Sequence, residues 1–443
     1  QLLKASLGAA APAFAAAADR GLPGGCGCAP AAAMAMALPS SPRLKVTGMK
    51  VIGVTTDAVP SDRPHIFVKL ETDAGVIGWG EATLEGKAGA AIQAVEDLSY
   101  AIIGQDPMQV EHHWQSMYIH GFYRAGPVLG SAISGIDQAL WDIRGKVLGK
   151  PVYELLGGPL DERGVRGYYH LLSGPMNWLP PNAPMRERLG LIRERAEKYG
   201  VTAFKTGIPG YYEWLDTHQR IKEAIDHLHL LREVMGDKID IGVDFHAKSG
   251  PTVAAIICKE VESLNLMFVE EPCPPENIMA MKRISDRTTV PIATGERLIT
   301  HYGCREIIEQ KVVDILQPDV NHVGGISALW KVGAMAEASG IRMAPHACEG
   351  PVGAIASMNV DAAMPNFLVQ EICSGVEPAE KEKLWEEWLG FPAMRMVNGY
   401  YPLSKKPGLG IEINEELLKK YPFAGTKPFV ILPVHEDGSI ASP

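Results

Sequence analysis

Three short runs near the start of the folded chain alternate apolar and polar positions: "KVTGMKVIGVTT", "HIFVKLETD" and "GVIGWGEAT". A period of two buries one face of each run, and Asp73-Ala-Gly75 between the last two is a turn signal, so the pattern predicts an antiparallel meander. From about Lys87 to Leu156 the period lengthens to that of helices, in "AAIQAVEDLSYAIIG", "VEHHWQSMYIHGFY" and "GSAISGIDQALWDIRGKVLG", the last stopped by Gly149-Lys-Pro151. Meander and helices together make a small α+β domain. Beyond Gly164 the apolar runs recur as "GVRGYYHLL", "VTAFKTG", "IDIGVDFH", "LMFVEEP", "VPIATGE", "VVDILQPD", "IRMAPH" and "FLVQE", mostly separated by helix-length stretches. Strand–helix alternation calls for a parallel sheet, and eight units fit a closed (β/α)8 barrel, with an open doubly wound sheet as the alternative.

The chain has 443 residues, enough for one large and one smaller domain. A net charge of -10 argues against a nucleic-acid partner, and no apolar stretch of the domains is long enough to span a bilayer. Seven scattered cysteines, Cys26-x-Cys28 included, imply neither a disulfide framework nor a zinc site. No G-x-G-x-x-G follows a strand, so nothing favours a dinucleotide. Residues 1–43 differ from the rest, being rich in Ala, Gly, Pro and Met with one acid, Asp19. They are expected to stand outside the fold, as a disordered or removed leader. "QLLK" followed by an apolar stretch resembles the end of a twin-arginine export signal, which points to a periplasmic destination; an organellar transit peptide or a plain tail of a cytoplasmic protein are the rival readings.

Candidate chemistry lies at the strand ends. Asp244 ends the third run, Glu270 and Glu271 the fourth and Glu296 the fifth, and Asp244, Glu270 and Glu296 follow one another at intervals of 26 residues. Equal spacing places each at the carboxyl end of a neighbouring strand, the face on which barrel sites form. Three acids converging in a dry mouth repel one another unless a cation joins them, and an all-oxygen donor set without Cys suits Mg²⁺. The structural alternative is that each acid caps the following helix. Lys205, Asp319, His346 and Glu371 end other runs in the same way. Asp319 could orient His346 and raise its basicity, and His246, two residues after Asp244, would face substrate.

From about residue 46 to 415 the chain resembles the enolase superfamily, in its mandelate racemase-like branch. The resemblance rests on "GWGE" (78–81), "GIDQALWDI.GK" (135–146), "DFH" (244–246), "EEP" (270–272), "GER" (295–297), "ILQPD..H.GG" (315–325), "APH" (344–346) and "PGLG.EI" (407–413). It implies a modified (β/α)8 TIM-like barrel over 161–400, an N-terminal α+β capping domain over 44–160, and a segment 401–443 returning to the cap. It also implies one Mg²⁺ per subunit on Asp244, Glu270 and Glu296. His346 would be the general base with Asp319 as its partner, His246 the general acid, and Glu371 a hydrogen-bonding partner of the enediolate. The activity implied is dehydration of a sugar acid, a galactonate-like aldonate, to a 2-keto-3-deoxy acid, in a homo-oligomer, an octamer among many relatives.

Racemases of this branch carry Lys-x-Lys at the second strand, whereas Lys205-Thr-Gly207 keeps only the first lysine. An epimerase or racemase of an α-hydroxy acid is therefore the second reading, and a non-catalytic sugar-acid binder the third. Glu349 in "HACEGP" and the stretch 173–222 also depart from the family. In "HGFYRAGP" (120–127), Tyr123 and Arg124 are expected either to border the substrate with Lys205 or to pack at the domain interface.

Overall fold

The computed structural model describes residues 44–56, 63–124, 126–171, 179–180, 182–372, 380–390, 395–427, 433–435 and 437–441. The leader, Cys26, Cys28 and part of the stretch 173–222 lie outside them. Strands β1 (Val46–Val54), β2 (His65–Thr72) and β3 (Ile77–Glu81) form the antiparallel meander in that order. The helix Pro127–Leu148 lies flat on β3, so closely that a Cβ on Gly80 would collide with the carbonyl of Gly135. That contact explains two glycines of "GWGE": only a bare backbone allows this approach of helix to strand.

Eight parallel strands follow: β4 (Val165–His170), β5 (Ala203–Gly207), β6 (Asp240–Asp244), β7 (Phe268–Glu270), β8 (Ile292–Thr294), β9 (Ile315–Leu316), β10 (Arg342–Met343) and β11 (Gln370–Glu371). Each of the eight predicted runs contains one of them. Their order is β10-β9-β8-β7-β6-β5-β4-β11, and a parallel bridge from Met343 to Phe367 ties the far edges together. The short strand β12 (Tyr400–Tyr401) adds antiparallel to β4.

The inside of the curled sheet is a plug of seven buried side chains: Tyr168, Ala203, Phe268, Ala293, Ile315, Ala344 and Val369. Large rings alternate with alanines, as interdigitating layers require. Gly242 continues the pattern, because a Cβ there would collide with the Phe268 ring. A second, larger core lies outside the strands, between them and the helices.

The meander joins the barrel through buried polar contacts. Glu81 accepts from the backbone N–H groups of Val352 and Gly353, both at 2.9 Å, at the N-terminus of the helix Pro351–Asp361. Asp137 accepts from the backbone and hydroxyl of Ser327, and Asp142 from the backbone N–H groups of Trp79 and Leu409. The motif residues of "GWGE" and "GIDQALWDI.GK" are thus the joint between the two parts. The tail returns to the meander where Pro422 bridges Val54. Among the described residues no helix is long and apolar enough to cross a membrane.

Candidate active site

Side chains two apart on a strand share a face, so the polar residues of the mouth stand directly above the plug. Tyr168 leads to His170, Ala203 to Lys205, Gly242 to Asp244, Phe268 to Glu270, Ala344 to His346 and Val369 to Glu371. Glu296 follows β8 by two residues, through Gly295 at φ 155°. A Cβ on Gly295 would lie 2.5 Å from the backbone nitrogen of Gln317, so the chain turns here only with glycine. Non-glycine residues take left-handed backbone at His246, Ala247 and Glu271, immediately after β6 and β7. Strain of this kind persists where a surrounding structure imposes it, often at a site.

Asp244 and Glu270 are register partners across β6 and β7. The Lys205 ammonium is 2.9 Å from Glu270 Oε2, 3.3 Å from Asp244 Oδ2 and 2.7 Å from Glu371 Oε1. His170 Nε2 lies 2.7 Å from the same Glu371 oxygen. His346 Nδ1 is 2.5 Å from Asp319 Oδ2, and Asp319 Oδ1 accepts from the backbone N–H of Asn321. This fixes the ring so that Nε2 faces the mouth, 3.1 Å from Glu296 Oε2. His246 Nε2 approaches the other oxygen of Glu296 at 3.9 Å, and the His246 backbone donates to Asp244 Oδ1 at 2.7 Å. Glu271 points away and is forked by Arg297 at 2.6 and 3.1 Å.

Charge follows geometry. Burial raises Glu270 well above the usual carboxylate range, reinforced by Asp244. Burial works against Glu371 too, yet Lys205 and His346 hold it well below that range. Burial likewise opposes His346⁺, but Glu296 and Glu371 keep its pKa well above the ordinary value. Glu371 Oε1 accepts from the Lys205 ammonium here.

The two sides of the mouth carry further residues, of which sequence reasoning singled out Glu349 but not His170, His322 or Arg63. His170 ends β4 as the others end theirs, and the signal was its place two residues after Tyr168. Glu349 is buried, with His322 at 3.4 Å and Arg63 at 3.0 Å; Arg63 also pairs with Glu85, and Ser131 Oγ lies 2.9 Å from the other nitrogen of His322. Burial resists the ionisation of Glu349, but Arg63 and His322 pull its pKa to about 2. Among the described residues, His170–Cys348–Glu371 and Asp319–His322–Glu349 each bring ligating atoms within 4.8 Å of one another. Asp244 and Glu270 are bridged instead by Lys205, and Glu296 by His346. Tyr123 is 86% exposed, and the Arg124 guanidinium lies 5.8 Å from the ring of Tyr118, so both line the outer surface beside Tyr302, which stacks on Tyr118.

The donor set of Asp244, Glu270 and Glu296 is all oxygen, and Glu270 Oε1 is buried without a hydrogen-bond partner. An orphaned buried carboxylate oxygen among two other acids fits a hard divalent cation.

The profile of the mandelate racemase / muconate lactonizing enzyme N-terminal domain matches residues 49–157, and that of the enolase C-terminal domain-like family matches 188–417. The chain is 37% identical over 371 residues to the D-galactonate dehydratase of Pectobacterium atrosepticum, covering 84% of this chain and 94% of that protein. A solved enolase-superfamily member from Salmonella Typhimurium superposes with a TM-score of 0.77 at 29% identity, over 86% of this chain and 98% of its own. A mandelate racemase/muconate lactonizing enzyme from a Sulfitobacter species gives 0.77 at 28% identity, over 88% and 99%. The chain belongs to the enolase superfamily, in its mandelate racemase-like branch. Within that branch it is an enzyme of the hydro-lyase type, a dehydratase.

Proposed function

We propose that this chain dehydrates a galactonate-like aldonate to its 2-keto-3-deoxy acid, with one Mg²⁺ held by Asp244, Glu270 and Glu296. The observation that carries the reading is the Asp319–His346 pair at 2.5 Å, aimed at Glu296 from one side while His246 approaches it from the other. The likeness to a galactonate dehydratase supports the substrate class.

Asp244, Glu270 and Glu296 would hold the Mg²⁺, which would supply Lewis-acid stabilisation of negative charge at the substrate carboxylate and would lower the proton affinity of His346. His346 Nε2 takes the proton from carbon 2 while Nδ1 keeps its hydrogen bond to Asp319, which stabilises the imidazolium that forms. Lys205, at the centre of the carboxylates, offers its ammonium to the substrate carboxylate. His246 gives a proton to the hydroxyl on carbon 3, which leaves as water. The remaining enol becomes the ketone, and solvent restores both imidazoles. A single lysine at 205, already ion-paired to Glu270 and Glu371, counts against a two-base racemase.

The test is a screen of hexonates and pentonates for 2-keto-3-deoxy product, before and after removal of metal by chelator. Activity on an aldonate that vanishes on chelation and returns with Mg²⁺ is the expected result. Exchange of the carbon-2 proton with solvent deuterium, without loss of water, would turn the assignment to an epimerase. Assembly as an octamer, read by light scattering, and export guided by the Ala-rich opening, read by cell fractionation, belong to the same proposal.

A further inference from the structure

The tail that returns to the meander also reaches the mouth. Beyond Pro422 it folds back on itself as a small hairpin, in which Val434 bridges Ile440 and the Ala441 N–H donates to the Pro433 carbonyl at 3.1 Å. Ala441 is 3% exposed, so this short hairpin is seated on the protein rather than held out in solvent. His435 fastens it: its side chain is 11% exposed, and Nδ1 lies 3.3 Å from Glu213 Oε1. Glu213 belongs to the loop 208–217, which joins the carboxyl end of β5 to the helix His218–Met235.

That loop flanks the turn of His246. Ile208 donates its N–H to the Asp244 carbonyl at 2.8 Å, and Tyr212 donates to the Lys248 carbonyl at 3.0 Å. The Lys248 ammonium lies 5.0 Å from the Tyr211 ring, and a Cβ on Gly250 would stand 2.7 Å from the Trp214 carbonyl oxygen. His246 and Ala247 take φ of 51° and 55°, closed by the Lys248 N–H on the Phe245 carbonyl at 2.9 Å. Two successive non-glycine residues in left-handed backbone do not hold that conformation unaided; their neighbours impose it. On the β7 side, Phe245 and Ala247 donate to the Glu270 and Glu271 carbonyls, both at 2.9 Å. On the β5 side stands the loop, which has no helix or strand of its own. Such a loop pins a neighbour only as firmly as it is itself held. Arg220 holds it from the following helix, at the Tyr211 carbonyl, and His435 holds it from the far end of the chain.

We propose that Glu213 and His435 are positioning residues for the reaction: the tail hairpin straps the loop 208–217 and through it holds the turn that aims the His246 imidazole. The inference rests on the reading of His246 as the general acid. His246 reaches substrate from a turn rather than from a strand, so its aim follows the turn.

Two measurements on the full-length, Mg²⁺-loaded protein test this. Backbone amide hydrogen exchange over the segment 208–217, read by mass spectrometry, reports the strap without any catalysis. His435→Ala and Glu213→Ala should each speed it by roughly tenfold or more, with the barrel strands unchanged. Glu213 is 34% exposed and His435 lies in the tail, so neither change opens the core. On the aldonate that the parent dehydrates, each variant should lower kcat for loss of water about three- to thirtyfold with KM nearly constant. Exchange of the carbon-2 proton, which belongs to His346, should stay at the parent's rate. His435→Asn keeps an N–H donor near the place of Nδ1 and should stay within about twofold of the parent in both measurements. A parent that turns over no aldonate sinks the proposed function and leaves the strap to be judged by amide exchange. The strap is overturned if amide exchange over 208–217 is the same in both Ala variants as in the parent. Its positioning role is overturned if dehydration is unchanged, if it falls together with carbon-2 exchange, or if His435→Asn loses as much as His435→Ala.

Discussion

Two sets of buried carboxylates divide the molecule. At the joint between meander and barrel, Glu81, Asp137 and Asp142 have each oxygen engaged by a neighbouring donor. At the mouth, Glu270 and Glu371 each keep one buried oxygen without a hydrogen-bond partner. Burial alone therefore does not mark function. The joint uses its acids as fixed acceptors for backbone N–H groups, where full satisfaction gives rigidity. The mouth leaves acceptor capacity open, which costs stability unless a cation or substrate takes it up.

The largest effect expected from breaking this contrast lies at the mouth, at the proposed general base. His346→Asn should abolish both deuterium exchange at carbon 2 and dehydration, by roughly 10⁴-fold. His246→Asn should lower dehydration by about 10³-fold yet keep the exchange, because the Asp319–His346 pair remains. Isotope exchange followed by NMR separates the two; the reverse pattern would exchange the two roles.

A paired substitution tests the contrast itself. Glu81→Gln leaves a helix N–H or the Thr83 hydroxyl poorly matched, and should cost about 1–3 kcal/mol in denaturant unfolding while Mg²⁺ affinity holds. Glu270→Gln should behave oppositely, with little loss of metal-free stability and at least tenfold weaker Mg²⁺ binding by calorimetry. Equal behaviour of the two variants would dissolve the distinction.

The smallest effect concerns Asp137. Its oxygens are satisfied, but burial still pushes its carboxyl up to about 7. A folded pKa above the ordinary 3.8 means that its stabilising contribution is complete below that value and is lost as pH rises through about 7. Unfolding midpoints at pH 5 and pH 8 should therefore differ less in Asp137→Asn than in the parent.

Much of this was legible in the chain. Each strand of the barrel betrays itself as an apolar run, and the spacing of Asp244, Glu270 and Glu296 follows the repeat of one strand and one helix. The contact of Asp319 with His346 was readable because both follow neighbouring strands. What was hidden depends on closure of the ring. His170 meets Glu371 only because the first and last barrel strands are neighbours, 201 residues apart in sequence. Lys205 reaches over two strands to Glu270, and no linear pattern encodes that reach. Arg63 meets Glu349 from the other domain. Tyr123 and Arg124 show how little a local cluster says by itself, since Tyr123 stands exposed and Arg124 lies against Tyr118.

The plug beneath the mouth has a consequence for traffic. Its seven side chains carry a single polar atom, the Tyr168 hydroxyl, which has no hydrogen-bond partner. Such a stopper conducts neither water nor protons along the barrel axis. On the proposed mechanism, a proton taken by His346 and a water released at His246 would both leave by the doorway through which the next substrate enters. The mouth is thus a one-door chamber, and its turnover is tied to how long that door stands open.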